Sequence, residues 1–309
     1  MNILVVRTDK LGDFITALPT LYVLKNHNPS NKIIACVAPL NEELAKSCDF
    51  IDSVIVDDTK NSIFSLVQKL HKEKIDASIT LFSNTRVALA QFLAFIPKRI
   101  APATKIAQIF YNKKVKQRRS KVEMAEFEYN LELTKALFTN INLHYPQPLL
   151  EVETKKLSTK KTIAFHVGFG GSSDANLTLD EYTKLIDVVL QQRRYHVVLT
   201  FGPDEKELMQ TMQSKLQSKD VEFYLSQGGI VEFAKILKGF ELFVSTSTGT
   251  YHLASLVGTK TLTFFADSLF ASPKRWRGVG DINLQKNIIL SQSNKEEILQ
   301  EITTYLQEF

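Results

Sequence analysis

Seven residues near the amino end, Arg7-Thr8-Asp9-Lys10-Leu11-Gly12-Asp13, bring together two cations, two carboxylates and a glycine. A carboxylate in a sheltered loop can take a proton from a hydroxyl, and cations beside it can hold an anionic substrate. Ile3-Leu4-Val5-Val6 before the loop reads as a buried strand, and Ile15, Leu18 and Tyr22 after it repeat at helical spacing. A loop between a strand and a helix is delivered to the carboxyl edge of a sheet, where Gly12 lets the backbone turn tightly or approach a ligand. The stretch has neither G-x-G-x-x-G nor the Walker spacing, so it is not one of the usual nucleotide fingerprints. Two readings of Asp13 stand side by side, a cap for the helix and a catalytic base in a cleft. Arg7 and Lys10 are either anion holders or ion-paired loop charges.

A second stretch, "ELFVSTSTGTYHLASLVGTKTLTFF", runs from a strand ending at Ser245 through Thr246, Ser247, Thr248 and Gly249 into a helix carrying His252. Free amides at a helix start, with the helix dipole behind them, bind phosphate, and the same hydroxyl residues also make an ordinary helix cap. His252 is a packing residue or a member of the site. In "AFHVGFGGSSDANLTLDEY", Gly168, Gly170 and Gly171 form either a backbone nest for an anion or a long glycine-rich connection. In "FGPDEKEL", Asp204 or Glu205 at a strand end could accept hydrogen bonds from a ribose, or simply favour a first helical turn.

Residues 98–121 hold nine cations (Lys98, Arg99, Lys105, Lys113, Lys114, Lys116, Arg118, Arg119 and Lys121) and no acid. Such a run is usually a solvated face, and this one is unbalanced enough to attract phosphates or carboxylates. Only Phe110 and Tyr111 interleave as stacking aromatics and no recognition motif accompanies them, so no nucleic acid partner is expected.

Loops of this kind need strands and helices in alternation. The first half reads as strands at 2–6, 32–37, 53–56 and 76–81, the second as strands at 162–167, 196–200, 222–225, 242–245 and 261–265, with amphipathic helices at 179–193, 204–216 and 230–238. That alternation means parallel sheets with crossover helices. "HYPQPLLEVETKKLSTKK", with two prolines and a lysine-rich run, is the natural linker. We therefore expect two Rossmann-like domains, at 1–153 and 154–309.

At 309 residues, with 44% hydrophobic and 23% charged residues and a formal charge of +5, the chain suits two ordinary globular domains and mildly favours anionic partners. Cys36 and Cys48 make no C-x-x-C pair, so neither a disulfide framework nor a zinc site is indicated. No run reaches the roughly 20 apolar residues of a spanning helix, and charges at Arg7, Asp9, Lys10 and Asp13 interrupt any leader-like core. A cytoplasmic protein is expected, with room for peripheral contact at the inner membrane surface.

The ordered pair of motifs resembles the bacterial lipopolysaccharide heptosyltransferases, glycosyltransferase family 9. "RTDKLGD" matches the family's opening R-x-D-x-[LI]-G-D, and "STGTYHLASLVG" matches its D-[TS]-G-x-x-H-L-A-x-x-[LV]-G signature. The resemblance implies a GT-B fold, two doubly wound parallel-sheet domains facing a central cleft, with the acceptor on the first domain and the nucleotide-sugar on the second. It implies an inverting transfer of heptose from ADP-heptose to a hydroxyl of the lipopolysaccharide core, independent of metal and without a cofactor. Carried over, Asp13 is the general base, with Gly12 giving room and Lys10 or Arg7 holding anionic substrate. Thr248, Gly249, Gly170 and Gly171 match positions on the diphosphate, and Gly228 falls where backbone groups meet the adenine. The basic 98–121 segment falls where the acceptor domain meets an anionic lipid-linked oligosaccharide. Two departures stand out. Ser247 replaces the family's aspartate before Thr-Gly, and Ala175-Asn176-Leu177-Thr178 replaces its K-x-W-P. Lys10, Lys260, Lys274, Arg275 and Arg277 are the candidates to replace the missing lysine. A nucleotide-binding module without catalysis and a transferase with another nucleotide-sugar donor are the alternative readings.

Overall fold

The apolar run Ile3 to Val6 forms the centre of the first sheet, because its side chains are buried on both faces and only a strand with helices above and below hides both. A computed structural model describes residues 1–103, 106–168, 175–217 and 219–309. The chain divides into two units, Met1–Pro146 and Gln147–Phe309.

The first unit contains β1 (Asn2–Arg7), β2 (Lys32–Val37), β3 (Ser53–Val56), β4 (Ala77–Thr80), β5 (Lys98–Pro102) and β6 (Lys113–Val115). They pair in the order β3-β2-β1-β4-β5-β6, all parallel, with Ile3 opposite both Ile33 and Ala77. On one face Leu4, Val6 and Ile34 pack with Leu66 and Leu70 of the helix Ile63–Lys72 and Val87 and Ala90 of the helix Thr85–Leu93.

The second unit contains β7 (Thr162–His166), β8 (His196–Phe201), β9 (Val221–Leu225), β10 (Leu242–Thr246), β11 (Thr261–Ala266) and β12 (Gln285–Leu290). Their order, β12-β11-β10-β7-β8-β9, is the same winding. Ile163, Phe165, Val244 and Phe264 pack with Leu185 and Val189 of the helix Leu179–Gln191 and Ile302 and Leu306 of the helix Lys295–Glu308.

In each unit three strands progress one way and the fourth returns to the other side of the first. The strand order therefore reverses between β1 and β4 and between β7 and β10. A loop leaving the carboxyl end of a strand at such a switch point has no crossover helix above it, which leaves a crevice for ligands.

Three strands were not expected. β5 opens on two cations, β6 is three residues of mostly polar edge, and β12 is a half-buried edge strand. β6 and β12 are edge strands, which need only one partner and one buried face, so their hydrophobic signal is weak. β5 lies between β4 and β6, but only Ile100 to Pro102 of it are buried, too short an apolar run to read as a strand. The charged 98–121 segment is thus partly sheet. The unit division also falls earlier than 153. Gln147 Nε2 donates to Val279 O (3.1 Å), the Leu149 and Leu150 amides donate to Leu256 O (3.2 and 3.3 Å), and both leucines are buried. Pro148, Leu149 and Leu150 of the linker-like stretch are therefore part of the second unit, while Pro146 closes the first.

Candidate functional site

In the first unit, β1 ends on Arg7, and the loop Thr8–Lys10 leads to the helix Leu11–Ile15. The Arg7 side chain is only 2% exposed, which is tolerable for a cation only if it is surrounded by partners. Its Nε donates to Asp9 Oδ1 (2.8 Å), its Nη1 to Glu126 Oε1 (3.2 Å) and its Nη2 to Asp13 Oδ1. Burial disfavours the cation, but the combined field of Asp9, Asp13 and Glu126 outweighs it and raises the guanidinium's proton affinity further. Burial, with Asp13 adding like charge against the pull of Arg7, pushes the Asp9 carboxyl up to about 6.

Further side chains fix this cluster. Arg119 Nη1 donates to Glu126 Oε1 (2.6 Å) and its Nη2 to Asn130 Oδ1 (3.3 Å), while Asn130 Nδ2 donates to Thr16 O (3.2 Å). Asn41 Nδ2 reaches the Asp9 carbonyl (3.1 Å), and the Arg7 guanidinium lies 5.5 Å from the Phe82 ring just beyond β4. Loops after β1, β2 and β4 and the helix Glu126–Glu132 thus converge around the Arg7 guanidinium and the Asp9 turn.

Asp13 does not cap its helix. The cap position is Lys10, with no side-chain cap bond, and Asp13 turns back to Arg7 instead. Its side chain keeps 20% exposure, enough to meet a substrate. Arg7 donates to three carboxylates, Asp9, Asp13 and Glu126, and so fixes the Asp13 side chain from behind. Lys10 is exposed and Gly12 buried beneath the loop.

In the second unit β10 ends at Thr246, whose Oγ1 donates to Ala175 O (2.5 Å). The Ser247 amide continues the ladder to Phe264 O (2.9 Å). Thr248 is extended at the cap of the helix Gly249–Leu256, but its hydroxyl pairs with Thr250 Oγ1 (2.9 Å) and makes no cap bond. The first-turn amides of that helix are left without a side-chain cap, the condition under which a helix start binds an anion. His252, 3% exposed, faces Trp276 edge-on with ring centres 6.3 Å apart. Its Nδ1 is buried with no hydrogen-bond partner among the described residues, and burial lowers its pKa to about 4, so the ring is neutral near pH 7.

Glu205 ties the ends of β7 and β8 together. Its Oε2 accepts from the Gly202 amide (2.7 Å) and lies 3.9 Å from His166 Nε2. A Cβ on Gly168 would sit 1.9 Å from Glu205 Oε1, so only glycine lets the carboxylate lie there. His166 is buried and its pKa lowered, by burial first, against the pull of Glu205. Gly228 caps the helix Gly229–Lys238, and Gly229 takes the left-handed turn at φ +85°. Gly170 and Gly171 lie outside the described residues.

The stretch that replaces K-x-W-P has a structural task. Asn176 Nδ2 donates to Val167 O (3.0 Å), its Oδ1 accepts from Tyr182 OH (2.7 Å), Leu177 is buried, and Thr178 and Glu181 form a reciprocal cap for the next helix. Of the cations suggested in place of the missing lysine, Lys260 is on the wrong edge. It precedes β11, its carbonyl accepts from the Phe243 amide (2.9 Å), and its Nζ lies over Phe309 (5.2 Å). Lys274 and Arg275 are on the helix Pro273–Trp276, beyond the carboxyl end of β11 and beside His252 through Trp276. A cavity of about 330 Å³ at this edge is lined by Ala175, Asn176, Ala266, Asp267, Leu290, Ser291 and Lys295.

Sequence reasoning missed Glu126 and Asn130, and read Arg119 only as one cation of a charged run, not as a partner of Glu126. Glu126 is 119 residues from Arg7, and no local spacing signals that contact. It also did not see that Asp9 and Asp13 share one arginine.

The family model "Glycosyltransferase family 9 (heptosyltransferase)" matches residues 63–308. Over 302 residues the chain is 36% identical to a Haemophilus influenzae protein that carries a provisional glycosyltransferase name, covering 91% of this chain and 87% of that one. It is 25% identical over 279 residues to the lipooligosaccharide heptosyltransferase 2 of Campylobacter jejuni, covering 86% of this chain and 81% of that one. Among solved structures, the Escherichia coli ADP-heptose LPS heptosyltransferase II superposes with a TM-score of 0.81 at 16% identity, covering 100% of this chain and 99% of that one. The fold is thus the GT-B architecture of heptosyltransferases, two Rossmann-like parallel sheets. The chain belongs to glycosyltransferase family 9 and is a heptosyltransferase-like glycosyltransferase.

Proposed function

We propose that this enzyme moves a heptose or related sugar from ADP-heptose, or a similar nucleotide-sugar, to a hydroxyl of the lipopolysaccharide core or a related surface glycan. The transfer inverts the anomeric centre and uses neither a metal ion nor a cofactor. One observation carries the reading. Asp13, a partly exposed carboxylate, is held with Asp9 and Glu126 by a buried arginine at the switch point of one sheet, and an uncapped helix start follows the switch point of the other.

In this mechanism the Asp13 carboxylate accepts the proton of the acceptor hydroxyl. The hydroxyl oxygen bonds to the anomeric carbon as the bond from that carbon to the diphosphate oxygen breaks, and the electron pair leaves with ADP. Attack from the side opposite the leaving group inverts the configuration. Amides at Gly249 and Thr250, the Thr248 hydroxyl and the helix dipole meet the charge gathering on the diphosphate, a task that a cation performs in other transferases. Lys10 holds an anionic group of a lipid-linked oligosaccharide, and Gly12 lets it come close. Glu205 accepts from the ribose, Gly228 borders the adenine, and Ser247 and His252 complete the donor side with Gly170 and Gly171. Asp267 and Ser291 in the 330 Å³ cavity supply the sugar contacts that the aspartate replaced by Ser247 would make. The reaction is cytoplasmic, at the inner face of the membrane.

Incubation with ADP-heptose and a heptose-deficient core acceptor, with the product's anomeric configuration read by NMR, tests the reading. Inversion at the same rate in EDTA is expected. Retention of configuration contradicts it, as does donor binding with no transfer to any core acceptor. The change to Ser247 favours a second reading, in which the donor is another nucleotide-sugar. Competition of UDP- and GDP-sugars against ADP-heptose for binding separates the two.

A further inference from the structure

We propose that the β6 edge of the first unit is a docking surface for an anionic lipid bilayer. The helix Thr85–Leu93 and the 3-10 helix Ile106–Phe110 pack together through Ala88, Ala107 and Tyr111, and the Phe92 and Phe110 rings lie 5.8 Å apart. Above that seam, large apolar side chains point to solvent. Ile106 is 83% exposed and Phe95 81%, with Phe92 and Ile109 exposed beside them. Residues three apart eclipse in a 3-10 helix, so Ile106 and Ile109 share one outward face. Phe95 follows Phe92 by one turn, its amide donating to the Phe92 carbonyl (3.0 Å).

Two features show that this patch is built rather than incidental. Phe95 has φ +57°, a left-handed backbone that costs a non-glycine residue about 1 kcal/mol or more. Glycine would fit there without strain, yet the position carries a large exposed aromatic. Second, the segment that builds the patch carries one sign of charge, although Arg86 is paired with Asp57, Arg119 with Glu126, and Glu123 and Glu132 lie beside Lys116 and Arg118. From 77 to 122 the sequence has ten Lys and Arg and no Asp or Glu. Lys98, Lys113, Lys114, Lys116 and Arg118 are exposed. Asn112 binds Lys113 and Lys98 into one neighbourhood, since its Oδ1 accepts from the Arg99 amide (2.8 Å) and its Nδ2 donates to Pro97 O (2.6 Å).

Apolar side chains that enter the headgroup boundary, ringed by cations that meet anionic headgroups, are what an anionic bilayer selects. A single-stranded nucleic acid would also meet the charge and stack on Phe92 and Phe95. Ile106 and Ile109, the other half of the exposed patch, offer a base no planar face and suit acyl chains. No described helix is long and apolar enough to cross a membrane, so this contact lies on the surface. The inference adds a surface to the proposed reaction without depending on it, because vesicle binding needs neither donor nor acceptor.

The test is co-sedimentation of the full chain with phosphatidylglycerol-containing vesicles and with phosphatidylcholine vesicles, at low and high salt. The protein should partition onto the anionic vesicles and be released by salt. Phe95→Ser with Ile106→Ser should lower the partition about tenfold or more, since each loses apolar area that the lipid would cover. Lys113→Gln with Lys114→Gln should lower it about 25-fold, roughly fivefold for each lysine. Both pairs are exposed, so thermal stability and ADP binding should stay as in the parent. The proposal is overturned if the parent chain stays in the supernatant with anionic vesicles at low salt. It is equally overturned if both double variants bind as the parent does, or if an oligonucleotide is retained by this surface while vesicles are not.

Discussion

The two units wind their strands in the same order and place their switch points at equivalent strands, β1 with β4 and β7 with β10, yet the side chains there are opposite in kind. In the first unit the loop after β1 gathers Asp9 and Asp13, with Glu126, around a buried guanidinium. In the second, the loop after β10 offers Ser247, Thr248 and the amides of an uncapped helix, with a neutral histidine beneath. Topology dictates where a ligand can reach the backbone. Side-chain chemistry then makes one such place carboxylate-rich and the other amide-rich, which suits the proposed roles of proton acceptor and anion cradle.

The contrast extends to pH. The folded first unit keeps the Asp9 proton up to about pH 6, whereas an ordinary aspartate releases it at 3.8. Between those values the folded state binds more protons than the unfolded one, so this group makes stability fall as pH rises. His252 works the other way. Unfolded, it takes up a proton below 6.5, and folded only below about 4, so its contribution is lost as pH falls through that window.

The comparison breaks most severely at Arg7. Arg7→Ala leaves three carboxylates facing one another, and removing one partner of a buried ion cluster costs about 3–5 kcal/mol. A large drop in melting temperature with loss of transfer is expected, and Arg7→Lys should recover only part of either, because an ammonium cannot reproduce a three-sided fork. A variant as stable as the parent would show that the cluster holds nothing.

Next in size is the pH effect. His252→Phe should remove about 3 kcal/mol of the stability lost between pH 6.5 and 4, the equivalent of its lowered proton affinity. Asp9→Asn should act with the opposite sign and steepen the rise of stability with pH. Denaturant melts across that range read both, and identical profiles would refute the assignment.

Gly249→Pro sharpens the second half of the comparison. Proline is well tolerated at the first helical position, and the preceding Thr248 is already extended, so only one N–H is lost. A hydrogen bond to a charged group is worth about 1.5–3 kcal/mol, so ADP should bind roughly ten- to a hundredfold more weakly with stability nearly unchanged. Calorimetric titration decides. The smallest effect belongs to Asp267→Ala, expected to raise the KM for the donor sugar by about fivefold, in line with one lost hydrogen bond, while leaving ADP affinity as it was.

Much of this was legible in the chain. The central strands announced themselves as apolar runs buried on both faces, and Arg7 to Asp13 and Ser247 to Gly249 stood where a strand hands over to a helix. β6 and β12 were not legible, because edge strands need little hydrophobicity, and β5 was not, because it opens on two cations and buries only three residues. Nor was the Glu126 contact to Arg7, since nothing in local spacing records a pairing 119 residues apart. The 98–121 cations misled in part. Arg99 is spent on the carbonyls of Ile96 and Phe110, and Arg119 on Glu126, while the exposed lysines remain for a partner.

The division of labour meets its most direct test in single-turnover transfer by Asp13→Asn at saturating donor. The substitution keeps the shape of the carboxylate and removes its basicity. Transfer should slow by about 10²–10⁴-fold with the affinity for ADP-heptose unchanged. If the Asp13→Asn variant transferred sugar at the parent rate, that result would contradict the account.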